Sequence, residues 1–164
     1  MSPIRRIVHP TDLSIASGSA LIWAIRLAKQ NRAELLVLHV LPPPTPIFEA
    51  EPVERPHKEA QLSALVKRIR WVKVKTRRLL LKGKTSVAKH IVKSARILRA
   101  DLIVMGTHGR TGISRLFVGS VAARVVASAH CPVLVVRAQS VKASPSRRSW
   151  SRHDERKKEG ELLP

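Results

Sequence analysis

The stretch Asp101-Leu-Ile-Val-Met-Gly-Thr-His-Gly-Arg-Thr-Gly112 combines an apolar run with a turn rich in glycine. Residues 101–105 have the composition of a parallel strand that is buried on both faces. The three glycines that follow allow the backbone to adopt φ > 0 and to approach a ligand without a Cβ atom in the way. Further along, Gly119 and Ser120 stand at the predicted start of a helix. The stretch therefore predicts a strand, a turn that can contact a ligand, and a helix.

The predicted helix start offers a place for a phosphate group. The first amide groups of a helix have no intrahelical partner and carry a partial positive charge, so they stabilise an anion. The alternative is a plain turn between strand and helix, in which Gly119 and Ser120 form an N-cap. Four glycines around one strand end and one helix start favour the phosphate site. By itself the glycine spacing indicates a phosphate and not a particular nucleotide.

Outward from this stretch, apolar β-branched runs alternate with helical patterns along the chain. The predicted strands are residues 4–8, 34–41, 72–77, 101–105 and 132–136, and the predicted helices are residues 14–31, 59–69, 85–98 and 120–129. Residues 42–56, rich in proline, are predicted to form an irregular crossing loop. A crossover between each pair of strands indicates βαβ units and an α/β fold with a doubly wound, five-stranded parallel sheet. Residues 72–77 alternate apolar with basic side chains, which predicts a strand at the edge of the sheet.

Composition limits the class of protein further. The 164 residues include 44% hydrophobic side chains, enough for one domain with a real core. No h-region follows the first residues and no run of about 18 apolar residues occurs, so a cytoplasmic protein is predicted. The one cysteine, Cys131, is predicted to act as a small apolar side chain. After Arg137 apolar residues become rare, so we expect a domain over residues 1–137 and a basic, disordered tail over residues 138–164.

The charge balance suggests a second function class. The net charge is +20, from 31 Lys and Arg against 11 Asp and Glu, and most of the excess lies between Lys67 and Arg110. Such a field attracts anions. The alternative hypothesis is therefore a protein that binds nucleic acid or an acidic partner through the surface of residues 67–110, with the α/β domain as a scaffold. Basic residues on an edge strand also prevent aggregation, which accounts for part of the excess. The few aromatic residues disfavour sequence-specific reading of single strands.

Ligands of an open parallel sheet bind beyond the carboxyl ends of the strands. The first predicted strand ends in His9-Pro10-Thr11-Asp12, and the second ends in His39-Val40-Leu41. The Asp12 carboxylate can accept hydrogen bonds from ribose hydroxyls or help to hold a metal, and the alternatives are an Asx turn or a helix N-cap. His39 is predicted to be a satisfied histidine. His108 lies in the glycine turn. The sequence favours two interpretations of it about equally, contact with a phosphate and exposure in a loop.

A different phosphate-binding motif and a catalytic site are both disfavoured. Gly83-Lys84-Thr85-Ser86 has the context of a Walker A loop, but Arg78 stands where that motif requires glycine. Gly83 is therefore predicted to be a turn glycine. No Ser/His/Asp arrangement with a nucleophile turn and no metal-ligand cluster is visible, so binding is favoured over catalysis.

The glycine turn and its surroundings resemble the universal stress protein family. Gly106-x-x-Gly109, nine residues and Gly119-Ser120 fit the signature G-2x-G-9x-G-[ST] of its ATP-binding members. Pro10-Thr-Asp-x-Ser14 and Cys131-Pro-Val-Leu-Val-Val136 match as well, and the likeness covers roughly residues 3–137. The resemblance implies a Rossmann-like, adenine nucleotide alpha hydrolase-like fold with strand order 3-2-1-4-5.

The resemblance also implies a ligand, a set of contacts and a role. It implies ATP with Mg²⁺, Asp12 beside the adenosine, and contact between the backbone of Val40 and the adenine. The full set of predicted ligand-binding residues is Pro10, Thr11, Asp12, Val40, Met105, Gly106, His108, Gly109, Gly119, Ser120 and Val121. It further implies a homodimer that pairs through Val133 to Val136. The expected role is that of a nucleotide-dependent switch in the stress response, with at most slow ATP hydrolysis.

Overall fold

The strands form one parallel sheet in the predicted order 3-2-1-4-5, numbered along the chain. The computed structural model describes residues 3–41, 54–83, 85–107 and 119–137. The elements within them are β1 (Arg6–Pro10), α1 (Ile15–Asn31), β2 (Glu34–Leu41), α2 (Glu54–Trp71), β3 (Thr76–Lys82), α3 (Val87–Ile97), β4 (Leu102–Gly106), α4 (Ser120–Ser128) and β5 (Val133–Val136). None of these helices is long and apolar enough to cross a membrane.

The central strands are covered on both faces because their side chains alternate between two cores. Ile7, Leu35 and Val37 belong to one buried cluster, which includes side chains of α1 and α2. Val8 and Leu36 belong to the other cluster, which includes side chains of α3 and α4. Successive residues of a strand point to opposite faces, so a continuous apolar run fills both cores.

Two predicted elements differ from the structure. α2 begins at Glu54 and not at residue 59, and β3 covers Thr76–Lys82 and not residues 72–77. Val72 and Val74 belong to the turn after α2, where Val74 is buried and Lys73 has a φ of 59°. The strand continues instead along the register from Leu35↔Thr76 to Leu41↔Lys82, which pairs nearly the whole length of β2. Its position at an edge of the sheet is confirmed. The other boundaries differ by at most two residues.

Gly83 has a structural role after β3, as predicted. Its amide donates to the carbonyl oxygen of Leu41 at 2.8 Å. A Cβ atom at this position would lie 2.4 Å from the same oxygen, closer than real contacts allow. Three residues on, the Ser86 side chain caps the start of α3 by accepting from the amide of Lys89.

Cys131 is half-buried against the core cluster beneath α3 and α4. Burial raises the pKa of its thiol, and the negative charge of Asp101 adds to that rise. The side chain therefore stays a neutral thiol at neutral pH, in agreement with its predicted role as a small apolar residue.

Candidate functional site

The candidate site is the place where β1 and β4 part at their carboxyl ends. The pairing of β1 with β2 continues to Pro10↔Leu38, whereas its pairing with β4 stops at Val8↔Ile103. The next ladder bond from β1 to β4 needs an amide hydrogen at Pro10, which proline lacks. The two strands lie at the point where the strand order reverses, which is where ligands of doubly wound sheets bind. We call this gap, with the adjoining starts of α1 and α4, the mouth.

His9 occupies the gap that Pro10 creates. Its Nδ1 lies 2.8 Å from the carbonyl oxygen of Val104, and because a carbonyl only accepts, Nδ1 carries the hydrogen. Nε2 is buried and has no hydrogen-bond partner among the described residues. Burial lowers the pKa of His9 to about 4, although the bond to Val104 and the charge of Asp12 act in the opposite direction. At neutral pH, therefore, Nε2 is an unprotonated acceptor.

The residues between β1 and α1 form a tight turn that fixes Asp12. One carboxylate oxygen, Oδ1, accepts from the Ser14 amide at 3.0 Å and from the Ser14 hydroxyl at 2.6 Å. Thr11 Oγ1 accepts from the amide of Leu13, which has a φ of 63°. The second oxygen of Asp12, Oδ2, is buried and has no hydrogen-bond partner within the described part of the chain. The Asx turn is thus present, and it uses only one of the two oxygens.

The second strand contributes to the same mouth. His39 Nδ1 donates to the carbonyl oxygen of Thr11 at 2.7 Å, which ties the end of β2 to the turn after β1. His39 is therefore a satisfied histidine, as predicted. Val40 follows it, buried and two residues beyond Leu38, the partner of Pro10. This register places Val40 beside the turn that holds Asp12.

The end of β4 and the start of α4 meet at the other side of the mouth. The Gly119 amide donates to the Thr107 carbonyl oxygen at 2.7 Å. Gly119 is the N-cap of α4, with φ −57° and ψ 150°, a conformation open to any residue. Gly119 is therefore at the start of a helix, as predicted, and its backbone angles do not require glycine. Gly119 has no side chain for a cap, whereas α1 and α3 are capped by Ser14 and Ser86.

The first amides of α4 have no intrahelical partner. Since the Gly119 amide donates to Thr107, the groups that a ligand would meet include the amides of Ser120 and Val121, which precede the first intrahelical bond. Both side chains are exposed. A helix N-terminus without its own cap is well suited to a phosphate group.

The structure brings most of the predicted site residues to one end of the sheet. Those within the described residues are Pro10, Thr11, Asp12, Val40, Met105, Gly106, Gly119, Ser120 and Val121. His108 and Gly109 lie outside the described residues. Sequence reasoning did not select His9 as a site residue, although a histidine in an apolar strand directly before proline was a visible signal. Among the described residues no three His, Cys, Asp or Glu side chains are grouped as a metal site would require.

The fold and the mouth define an α/β domain of the doubly wound class, whose ligands bind at the switch point. The sequence profile of the Universal stress protein family matches residues 3–137. The chain therefore belongs to the universal stress protein family, which confirms the resemblance seen in the glycine turn.

Individual relatives agree with this assignment. Universal stress protein MJ0531 of Methanocaldococcus jannaschii is 39% identical over 143 residues, which cover 81% of this chain and 82% of the relative. A universal stress protein of Thermus aquaticus is 37% identical over 115 residues, 67% of this chain and 82% of its own. The solved structure of a universal stress protein from Archaeoglobus fulgidus in complex with dAMP is 25% identical, with a TM-score of 0.64. It covers 82% of this chain and 98% of its own.

Proposed function

We propose that the mouth binds an adenine nucleotide, ATP in particular, and that the protein acts as a nucleotide-dependent switch in the stress response. The observation that carries the proposal is the convergence of two kinds of group at the switch point. Unpartnered acceptors, Asp12 Oδ2 and His9 Nε2, lie on the β1 side, and the uncapped start of α4 lies on the β4 side. A nucleotide has hydroxyl donors at one end and phosphates at the other. The relative with dAMP supports the choice of an adenine nucleotide.

Each part of the nucleotide has residues suited to it. The amides of Ser120 and Val121 face the place for the phosphates, and the dipole of α4 favours negative charge there. Asp12 Oδ2 can accept from a ribose hydroxyl without giving up the turn that Oδ1 holds. The backbone of Val40 would contact the adenine, as the family resemblance implies. His108 and Gly109 complete the predicted set.

Magnesium is part of the proposal as a companion of the phosphates. Mg²⁺ usually keeps several waters and binds through one or two carboxylates together with phosphate oxygens. As the alternative to its contact with a ribose hydroxyl, Asp12 Oδ2 fits that minimal requirement, since it has no hydrogen-bond partner in the described chain. When bound, the ion neutralises phosphate charge. The residues of the chain then need only to hold and orient the nucleotide, which fits a switch with at most slow ATP hydrolysis.

The exposed edge of β5 is suited to a second copy of the chain. Val133–Val136 is entirely apolar, and all four residues are only partly buried at an edge of the sheet. Two such edges from symmetry mates would cover each other, which removes an unpaired edge. We propose a homodimer through this strand. A mass by light scattering that corresponds to one chain at all concentrations would contradict it.

The division of the chain and its location belong to the same proposal. Residues 1–137 would form the nucleotide-binding domain, and residues 138–164 would be a separate basic segment; the match of the family profile to residues 3–137 supports this boundary. We place the protein in the cytoplasm, as the reducing surroundings suited to a free Cys131 suggest.

The direct test is to look for a nucleotide that the protein carries. The chain is purified under mild conditions and denatured, and the released small molecules are identified by mass spectrometry. We expect an adenine nucleotide in an amount comparable to that of protein. A preparation that releases none and also fails to bind added ATP with Mg²⁺ in a calorimeter would overturn the proposal.

A further inference from the structure

The amino ends of the strands, opposite the mouth, carry a row of basic side chains. Because the strands are parallel, each helix begins near the mouth and ends near the amino end of the next strand. Each turn from a helix into the next strand therefore lies at the amino ends. In sheet order the exposed basic residues of these turns are Lys73 and Lys75 before β3, Arg32 before β2, Arg5 and Arg6 at β1, and Arg99 before β4. Neighbouring strands are about 4.8 Å apart, so the row extends over about 14 Å. We call these six residues the basic row.

Three members of the basic row have a backbone conformation that favours glycine. The φ angles are 53° for Arg32, 59° for Lys73 and 50° for Arg99. Left-handed φ costs a residue with a side chain roughly 1 kcal/mol or more, and helices usually end with glycine at such positions. A cation at a helix C-terminus recovers part of that cost through the dipole. A long basic side chain nevertheless occurs at all three equivalent turns, in place of the glycine that would avoid this cost. We infer that the positive charges have a function.

The acidic residues near the basic row do not cancel it. The Asp101 carboxylate accepts from the backbone amides of Arg5 and Arg6, both at 2.8 Å. Glu34 lies 3.8 Å from the guanidinium of Arg77, measured between Oε1 and Nε. The six side chains of the row, together with Arg77, outnumber these two carboxylates. The row keeps a positive field toward solvent.

At the β3 end of the row the surface is concave. An open groove of about 500 Å³ is lined by four basic residues and one acidic residue, which are Arg70, Lys73, Lys75, Arg77 and Glu34. The Arg70 guanidinium is held in place, since Nη2 donates to the Thr76 carbonyl oxygen at 3.2 Å. A single anion in the groove would therefore contact several cations.

An exposed tryptophan follows Arg70, one of the residues that line the groove. Trp71 is the last residue of α2 and is 87% exposed, between Arg70 and the turn at Lys73. An indole ring in water has no packing role in the chain itself. Aromatic rings next to cations are the stacking platforms of proteins that bind single-stranded nucleic acid, because every base has a flat π-face.

We propose that the basic row, the groove and Trp71 form a binding face for single-stranded nucleic acid, with no sequence preference. Phosphates contact the basic row, and a base stacks on Trp71. One aromatic ring gives stacking without reading base edges. This site is distinct from the mouth and independent of nucleotide binding there, since it lies at the other end of strands roughly 20 Å long.

The phosphate contacts are tested with matched pairs of lysines in the full-length protein. Binding of a fluorescent oligothymidylate is measured by anisotropy over a range of salt concentrations. Lys73→Ala/Lys75→Ala should weaken binding at least tenfold and lower the slope of log affinity against log salt by about 1.4, the value for two phosphate contacts to a single strand. Lys89→Ala/Lys93→Ala removes the same charge from the exposed side of α3 and should change affinity less than threefold. Equal effects of both pairs would overturn the proposal.

The stacking contact separates nucleic acid from other polyanions. Trp71→Ala should weaken oligothymidylate binding about fivefold or more, as the loss of one base–aromatic stack predicts, while binding of heparin, which has no bases, stays unchanged. Trp23→Ala is the control, because Trp23 is also exposed but lies on α1 beside Arg26. Unchanged oligonucleotide affinity in Trp71→Ala would contradict the proposal. So would loss of binding to anionic vesicles alone, which would assign Trp71 to a lipid surface.

Discussion

The two ends of the sheet use the same strands for different kinds of surface. At the carboxyl ends, His9, Thr11 and His39 are buried. Two atoms there, His9 Nε2 and Asp12 Oδ2, lack partners in the described chain. At the amino ends, the polar groups are exposed cations on tight turns. Burial makes a site selective for one small ligand, whereas exposed charge attracts any polyanion. The comparison shows how one fold can separate a specific pocket from a general electrostatic surface.

The helix ends follow the same division. α4 begins at the mouth after Gly119, which has no side chain to cap the helix. α1 ends at Asn31 and is followed by Arg32, a residue with left-handed backbone angles whose amide donates to the Ala28 and Lys29 carbonyl oxygens. Helix starts favour anions and helix ends favour cations. The dipoles therefore support a phosphate at the mouth and basic side chains at the opposite end.

The largest effect is expected at the mouth, from Gly119→Val. Because φ is −57° at this position, valine fits the backbone and the fold should be retained. Its side chain would stand beside the free amides of α4 and weaken ATP binding by about 100-fold or more, as the loss of hydrogen bonds to a charged group predicts. Calorimetric titration measures the affinity, and thermal unfolding checks the fold. The oligonucleotide affinity should not change, and a parallel loss of both activities would break the proposed separation of the two ends.

The next effect is a decrease in stability at acid pH that is caused by the buried His9. Its pKa is about 4 in the folded protein, against 6.5 for an ordinary histidine. The unfolded chain therefore binds the proton more readily, so this group's contribution to stability is complete above pH 6.5 and falls as pH decreases toward 4. The loss amounts to about 3 kcal/mol. His9→Asn keeps an amide donor for the Val104 carbonyl and removes the titration.

Urea unfolding at pH 7 and at pH 4 measures that difference. The decrease in the free energy of unfolding should be smaller in His9→Asn by about the same 3 kcal/mol, since all other titrating groups are shared. An identical decrease in the two proteins would show that His9 is not held neutral by burial.

Gly83→Ala should destabilise the mouth side of the sheet. The new Cβ atom would lie 2.4 Å from the Leu41 carbonyl oxygen, which is backbone and cannot move aside cheaply. We expect a loss of about 2 kcal/mol in the free energy of unfolding. Gly18→Ala is the matched control, because nothing lies within 4 Å of its Cβ position in helix α1. That control should be stabilised by about 0.5–1 kcal/mol, and similar losses in both variants would refute the packing argument.

The smallest effect is expected at the amino ends of the strands, where replacing Lys73 with glycine should increase stability. Lys73→Gly removes the left-handed strain at φ 59° and should raise the free energy of unfolding by about 1 kcal/mol. It should also weaken oligonucleotide binding. Lys89→Gly, inside α3, should instead lower the free energy of unfolding by about 1 kcal/mol, since glycine is unfavourable in a helix interior. A Lys73→Gly variant that is less stable than the parent would contradict our account of this turn.

The sequence predicted the fold well because parallel strands buried on both faces leave a strong apolar signal. β2 was predicted with its observed bounds. β3 was misplaced because Val72 and Val74 imitate strand alternation, although they belong to a turn. The correct register depends on pairing with β2, which is a tertiary contact that local pattern does not contain.

The two candidate sites could be predicted from the sequence to different extents. The mouth could be predicted because its residues follow strand ends and carry a family signature. His9 was missed because its importance depends on Pro10 and on a carbonyl group of another strand, at Val104. The basic row was also hidden, since Arg5, Arg32 and Arg99 are distant in sequence and only the sheet order brings them side by side. The predicted surface of residues 67–110 included only part of the row.

A crystal structure of the protein grown with excess ATP and Mg²⁺ tests the central claim most directly. We predict density for a triphosphate against the amides of Ser120 and Val121, with the ribose near Asp12 Oδ2 and the amino ends of the strands free of nucleotide. A mouth closed by its own side chains, or a nucleotide held only on the basic row, would contradict the account.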